Sequence, residues 1–412
     1  MTAVDTLAPP SAKAQAEGLL AQIGTRLMDC DNHYYEPRDC FTRHMDPALA
    51  RHNFRWMTNA DGAGRLLVRD RMVRVLNEPT FDKVPRPGAV LQVFKDGNGA
   101  DYAMGSSQRY PVEAAYQNRD ARVARLDEQQ VAKACLYPTL GNLVEELIKD
   151  DAPLTVATLR AFNRWLEEDW GFAYEDRLYA AALMTLADRE AAIEELEWAL
   201  KQGARVIHLR SAPVPTSNGP KSPADSYFDP FWARVNEAGV LVACHAGDNG
   251  CYSEAAKWGE PRNPNALMMA NFTVATYSFR GVFELLASMT LSGLFERFPR
   301  LRVAALEQGS NWAPFLIERL KHVRKRRDRF RLKGDPVDYF LQHVYISPHP
   351  EEDIRRLADA IGADHVIMGS DYPHPEGTTE PMTLLNEVEG FSVPELRKLF
   401  VENTAGLLEP PR

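Results

Sequence analysis

The feature that most constrains this chain is a rhythm. Short apolar runs of strand length alternate with amphipathic helical stretches along most of the sequence. Strand-like runs fall at 26–31, 131–138, 178–185, 205–210, 240–245, 301–307, 344–347 and 365–370. Helical patterns occupy 120–128, 153–168, 188–201, 231–238, 281–295, 311–330 and 351–361. Such alternation builds parallel strands joined by crossover helices, and eight strands predict a closed (β/α)8 TIM-type barrel. Local capping agrees: Asp188 and Glu190 open one helix, and Gly203 follows Lys201 at its end.

The rhythm breaks once, over about 44–110. The Asp61-Gly62 pair lies between alternating segments at 54–59 and 65–75, which predicts a hairpin, and a Pro- and Gly-rich tract follows around 79–105. A large insertion after the first strand emerges on the catalytic face of a barrel. It is therefore a candidate lid or pocket wall, while a packing elaboration or a contact between copies of the chain explains it equally well. Residues 1–24 are expected to form a flexible arm or a short surface helix, and 25–412 the barrel.

A formal net charge of -9 gives no reason to expect nucleic acid or an anionic membrane as a partner. No run approaches the ~20 apolar residues that span a bilayer, and the first residues lack the basic-then-apolar layout of a secretory signal. The 5 cysteines are scattered without metal-finger spacing, and Cys30, Cys135 and Cys244 lie in apolar runs as buried reduced thiols would. A cytoplasmic location is expected.

Four strand ends carry the chemistry. The first run leads into Asp29-Cys30-Asp31-Asn32-His33-Tyr34-Tyr35-Glu36, where alternation places Asp29, Asp31 and His33 on one side and lets Glu36 turn back toward them. The run at 240–245 ends in His245, as ready to be a structural histidine as a ligand. The run at 301–307 ends in Glu307, whose buried charge needs a cation or an arginine. The last ends in Asp371, with His374 three residues on in a Pro-rich turn. Packing does not explain such convergence; a metal centre does.

At these residues the chain resembles the amidohydrolase superfamily, in particular its branch around aminocarboxymuconate semialdehyde decarboxylase, from Asp29 to near Asn403. The resemblance implies that Asp31 and His33 stand for that family's H-x-H or E-x-H pair, His245 for its single histidine ligand and Asp371 for its terminal aspartate. Glu307 falls where those decarboxylases carry a second catalytic histidine. The candidate ligands are thus Asp31, His33, Glu36, His245, Glu307, Asp371 and His374, with Glu307, Asp371 and His208 as candidate catalytic groups. A carboxylate-rich set favours iron or manganese over zinc. Four carboxylates with two histidines also match the inventory of ferritin-like di-iron proteins, and the first motif is similar to a group of barrel nonheme di-iron oxygenases, many acting on coenzyme A-linked substrates.

The leading expectation is a nonheme di-iron monooxygenase that hydroxylates an organic acid or its coenzyme A thioester. The alternative is a zinc- or manganese-dependent hydrolase or decarboxylase of a carboxylated small molecule. A non-catalytic barrel would leave the converging charges unexplained. The basic run 319–333 is either a solvated helix end or a phosphate clamp for a nucleotide-bearing substrate. His208 and Arg210 end the fourth run and either reach substrate or support the wall. Tyr34, Tyr35, Phe279, Trp312 and Tyr372 are candidates for an apolar pocket, and His349 stands between two prolines after the seventh run. The chain shows no Ser-His-Asp pattern and no Gly-rich phosphate loop, and self-association is left open.

Overall fold

The computed structural model describes residues 12–60, 62–76, 78–91, 108–260, 271–325 and 332–409. Its first barrel strand, Leu27–Tyr34, pairs in parallel with the second, Val131–Pro138. The third runs as two pieces, Leu178–Ala180 bonded to the second strand and Ala182–Met184 bonded to the fourth, Val206–Leu209. Parallel pairing continues through Leu241–His245 and Arg302–Leu306 to Val344–Ile346. Seven of the eight expected strands are therefore present close to their predicted bounds.

The eighth, expected at 365–370, is not a regular strand. It closes the ring through single bonds: Ile367 N–H donates to Ile346 O at 3.1 Å, Cys30 N–H to Met368 O at 3.1 Å, Asp371 N–H to Asp31 O at 2.8 Å and His33 N–H to Tyr372 O at 2.7 Å. The approach is so close that a Cβ on Gly369 would lie 2.2 Å from the Asp31 Cβ, which only glycine avoids.

Asp29 fastens this seam. Its carboxylate accepts from Asp31 N–H at 3.1 Å, Asn32 Nδ2 at 2.9 Å, Ser370 N–H at 2.9 Å and Ser370 Oγ at 2.5 Å. Strict alternation along the first strand does not hold. The pairing register slips between Asp29 and Asn32, so Cys30 joins the barrel-interior cluster with Cys135, Tyr137 and Ala243, and Asp29 serves the seam instead of the metal face. Behind it, the buried Arg122 donates from Nε to Ala115 O at 2.7 Å and from Nη1 to Asn32 Oδ1.

The larger core lies between the strands and the surrounding helices. Helix Arg189–Lys201 starts as predicted, with the Asp188 side chain accepting from Ala191 N–H at 2.9 Å. Cys30, Cys135 and Cys244 are buried free thiols. The expected arm is a helix, Ala12–Ile23, over its described part: Ala16 and Ile23 are buried, and Arg397 Nη1 donates to Ile23 O at 2.7 Å. Residues 1–11 lie outside the described residues.

The insertion folds as expected at its start. Phe54–Thr58 pairs antiparallel with Gly64–Val68, although Asp61 of the turn lies outside the described residues, as do 92–107. Lys83–Val84 then pairs with Tyr110–Pro111.

With four hydrogen bonds converging on one buried carboxylate, Asp29→Ala is expected to cost roughly 2–4 kcal/mol. Urea denaturation measures it, and a loss under ~0.5 kcal/mol would show that Asp29 does not hold the seam.

Candidate metal centre

Six of the seven expected ligands meet at the C-terminal mouth of the barrel. Asp31 and His33 leave the first strand, His245 the fifth, Glu307 the sixth, and Asp371 and His374 the eighth segment. They form two donor groups that share His33. One is Asp31, His33 and His245, and the other is His33, Glu307, Asp371 and His374, each with ligand atoms within 4.8 Å of one another. Both Glu307 and Asp371 sit at positive φ, 52° and 54°, a conformation costly for a side-chain-bearing residue and concentrated at functional sites.

The contacts are close. Asp371 Oδ1 is 3.1 Å from His33 Nε2 and 2.9 Å from His374 Nδ1. Asp31 Oδ1 is 3.0 Å from His245 Nε2 and 3.4 Å from His33 Nε2, while Glu307 Oε2 is 3.1 Å from His245 Nε2. Against the cost of burying an imidazolium, Asp31 and Asp371 hold the His33 pKa well above its usual range. The field that favours a proton there favours a divalent cation equally.

Tautomers test the fit. His245 Nδ1 is 2.9 Å from the Ala246 carbonyl, which can only accept, so Nδ1 carries the hydrogen. Its Nε2 then presents a lone pair toward two carboxylate oxygens. Thr139 Oγ donates to Tyr34 O at 2.7 Å and so accepts from His374 Nε2 at 2.9 Å, which leaves the lone pair of His374 Nδ1 facing Asp371. Acceptors aimed at acceptors in a buried site repel unless a proton or a metal cation lies among them. Backbone and hydroxyl partners of this kind are how proteins orient metal-ligating imidazoles. Asp31, His33, His245, Glu307, Asp371 and His374 therefore fit a metal centre.

Glu36, the seventh expected ligand, is outside both groups. The strand ends at Tyr34; the Glu36 Oε1 accepts from Leu140 and Gly141 N–H at 2.8 and 2.9 Å, and its buried Oε2 has no protein partner among the described residues. Nor is His208 among the donors: it is buried in the wall behind His245, and burial, reinforced by His245, presses its pKa down to about 3. Arg210 pairs with Glu146, a wall role. Tyr35, Phe279, Trp312 and His349 do line the cavity above the centre, whereas Tyr34 packs between Trp165 and Trp170 and Tyr372 lies against Tyr116.

Glu376 was not singled out from sequence. It lines the cavity two residues beyond His374, and burial together with Asp371 pushes its pKa up to about 8. Its place in the same Pro-rich turn was the available signal. The cavity measures about 1810 Å3 and is walled on one side by the insertion, through Leu76, Phe81, Val84 and Arg109.

The described part of the basic run lies elsewhere. Helix Trp312–Val323 touches the cavity with Trp312 and Phe315. Rising ~1.5 Å per residue, it carries Arg324 about 18 Å from Trp312, toward the other end of the barrel. There Arg324 faces Asp335 at 3.5 Å and Lys321 faces Glu318 at 2.6 Å. Residues 326–331 lie outside the described residues.

Two predictions follow from this geometry. Asp371→Ala is expected to lower metal affinity by more than tenfold, since second-shell losses alone reach ~10–100-fold; metal analysis after dialysis against a weak chelator measures it. Burial raises the Glu36 pKa from 4.5 to about 7. A carboxyl raised on folding stabilises fully below its unfolded pKa and loses that contribution as pH rises through the folded value. Stability should therefore fall by up to ~3 kcal/mol between pH 4.5 and 7 from this group, and Glu36→Gln should flatten that part of the profile.

Comparison with known proteins agrees with the geometry. The amidohydrolase family model matches residues 141–409. A crystal structure of an amidohydrolase from Mycobacterium avium subsp. paratuberculosis superimposes with a TM-score of 0.87 at 37% identity, covering 93% of this chain and 98% of that one. A dihydroxybenzoic acid decarboxylase from Polaromonas sp. JS666, solved with bound manganese and the inhibitor 2-nitroresorcinol, shares the fold at 19% identity and a TM-score of 0.57, over 78% and 93% of the two chains. The 2-amino-3-carboxymuconate-6-semialdehyde decarboxylase of Dictyostelium discoideum is 29% identical over 111 residues, 26% of this chain. That match spans only 31% of the relative's length. The chain belongs to the amidohydrolase family and is a metal-dependent enzyme of that superfamily.

Proposed function

We propose that this protein is a divalent-metal-dependent hydrolase or carboxy-lyase acting on a carboxylated small molecule. The observation that carries the reading is the convergence of three carboxylates and three imidazoles on the floor of a cavity, in a chain whose relatives include decarboxylases. A bound cation supplies Lewis-acid polarisation of a substrate oxygen and neutralises charge that develops on it.

The protein's own part is division of labour by exposure. Asp31, His33 and His245 line the cavity floor with side chains only 5%, 0% and 1% exposed, which suits them to hold and orient. Glu307 and Asp371, at 24% and 17%, are open to the cavity and can meet a substrate. Asp371 is placed as ligand or general base, accepting a proton from an attacking water in the hydrolytic case. In the lyase case the carbon–carboxylate bond breaks, carbon dioxide leaves, and the electron pair stays on carbon until a proton is delivered there. The apolar side chains of the walls exclude bulk water from that carbon.

A second reading is favoured by one specific observation. Three carboxylates gather with three imidazoles, a carboxylate-rich inventory like that of di-iron proteins, since anionic oxygen donors stabilise the higher oxidation states of iron. On that reading the enzyme is a monooxygenase hydroxylating an organic acid or its coenzyme A thioester. The described basic residues of 319–325 do not line the cavity, so the phosphates of such a thioester would fall to Lys83, Arg109 and Arg280, which do.

One experiment separates the two. Purified protein is expected to carry stoichiometric divalent metal, to lose turnover of a panel of aromatic carboxylic acids on chelation, and to regain it with zinc or manganese under nitrogen. Recovery with Fe(II) alone, coupled to dioxygen uptake, would overturn the first reading in favour of the second.

A further inference from the structure

The cavity is far larger than a carboxylated single ring requires. Ligand sites for drug-sized molecules occupy ~300–1,000 Å3, and this one measures about 1810 Å3. Charged groups such as Lys83, Arg109 and Arg280 stand on its walls, and the candidate metal donors form its floor. Above them, helix Arg280–Leu291 and helix Trp312–Val323 contribute stacked phenyl rings: Phe283 and Phe315 have centroids 6.1 Å apart and planes 22° from parallel, and Phe279 stands 6.5 Å from Phe283. Phe315 is 59% exposed and the nearby cavity residue Val274 48%. The facing wall, from the insertion, adds the apolar Phe81 and Val84 beside Lys83 and Arg109.

Single exposed apolar side chains need no explanation, but a contiguous row of them facing further apolar side chains marks a binding surface. Nearly parallel rings suit a flat partner, because aromatic groups gain from offset stacking beyond the area they bury. The floor dictates the other end of the ligand, since a cation among carboxylates and imidazoles takes an oxygen donor.

We propose that the substrate is an organic acid with a bulky, fused-ring apolar body, its acid group at the metal centre and its body between the Phe283–Phe315 face and the insertion. This rests on the metal-enzyme reading above and names the substrate class of that site. The insertion then acts as the wall that selects for size. Small benzoates would bind the floor and leave most of the slot unfilled.

Calorimetric titration of the metal-loaded full chain with benzoate, naphthalene-1-carboxylate and pyrene-1-carboxylate tests the proposal. Affinity is expected to rise severalfold with each enlargement and at least tenfold across the series, as added apolar area leaves water. Phe283→Asp is expected to cut that gain below threefold while benzoate affinity and metal content stay unchanged. Phe315→Asp, at an exposed position where the fold is insensitive, should do the same. Equal affinity across the series, or a gain intact in both variants, overturns the proposal. A gain unaltered after chelation overturns the placement of the acid at the metal. Metal content, measured separately, reports on the enzyme reading, so failure of one is distinguishable from failure of the other.

Discussion

Closure of the barrel between its first strand and its last segment is the constraint on which the site depends. Asp31 and His33 lie on one side of that seam, Asp371 and His374 on the other, so four of the six candidate metal donors are in place only if it holds. The seam has few regular ladder bonds. It relies on the Asp29 carboxylate gripping Ser370 and Asn32, and on the missing side chain of Gly369, which lets the two backbones touch. A slipped register in the first strand is the structural consequence. That slip frees Asp29 for the seam and leaves Asp31 and His33 facing the cavity.

Charge explains the rest of the arrangement. Three carboxylates within contact of three imidazoles would be costly in a buried site without compensation. Fixed tautomers sharpen the problem: Ala246 and Thr139 turn lone pairs of His245 and His374 inward, toward oxygens that are also acceptors. A proton or a metal cation among them resolves it. The positive φ of Glu307 and Asp371 fits the same logic, since strain at two strand ends persists where the surroundings over-determine it.

Much of this was legible in the chain. Alternation of strand and helix patterns predicted seven strands near their observed bounds, and six of seven proposed ligands converge. Glu36 stands apart from the two donor groups because a carboxylate just past a strand end has two uses, binding a metal or capping a loop, and residue type does not distinguish them. The loop it caps, at Leu140 and Gly141, is remote in sequence. His208 stands apart for a similar reason: a strand-end histidine looks the same whether it opens on the cavity or lies behind another ring. Glu376 is not marked by sequence, because its burial on the cavity wall is set by the fold.

The sequence by itself determined the fold class and the strand ends that carry the candidate donors, because periodicity and residue type are local properties. It did not determine which donors share a centre, which wall the cavity has, or where the basic run points. Those follow from contacts between segments hundreds of residues apart, such as Asp29 with Ser370. Only the closed ring decides that Glu307 and Asp371 are the more exposed donors on the cavity floor while Asp31 and His245 are almost covered, because exposure is set by neighbours that the local sequence does not contain.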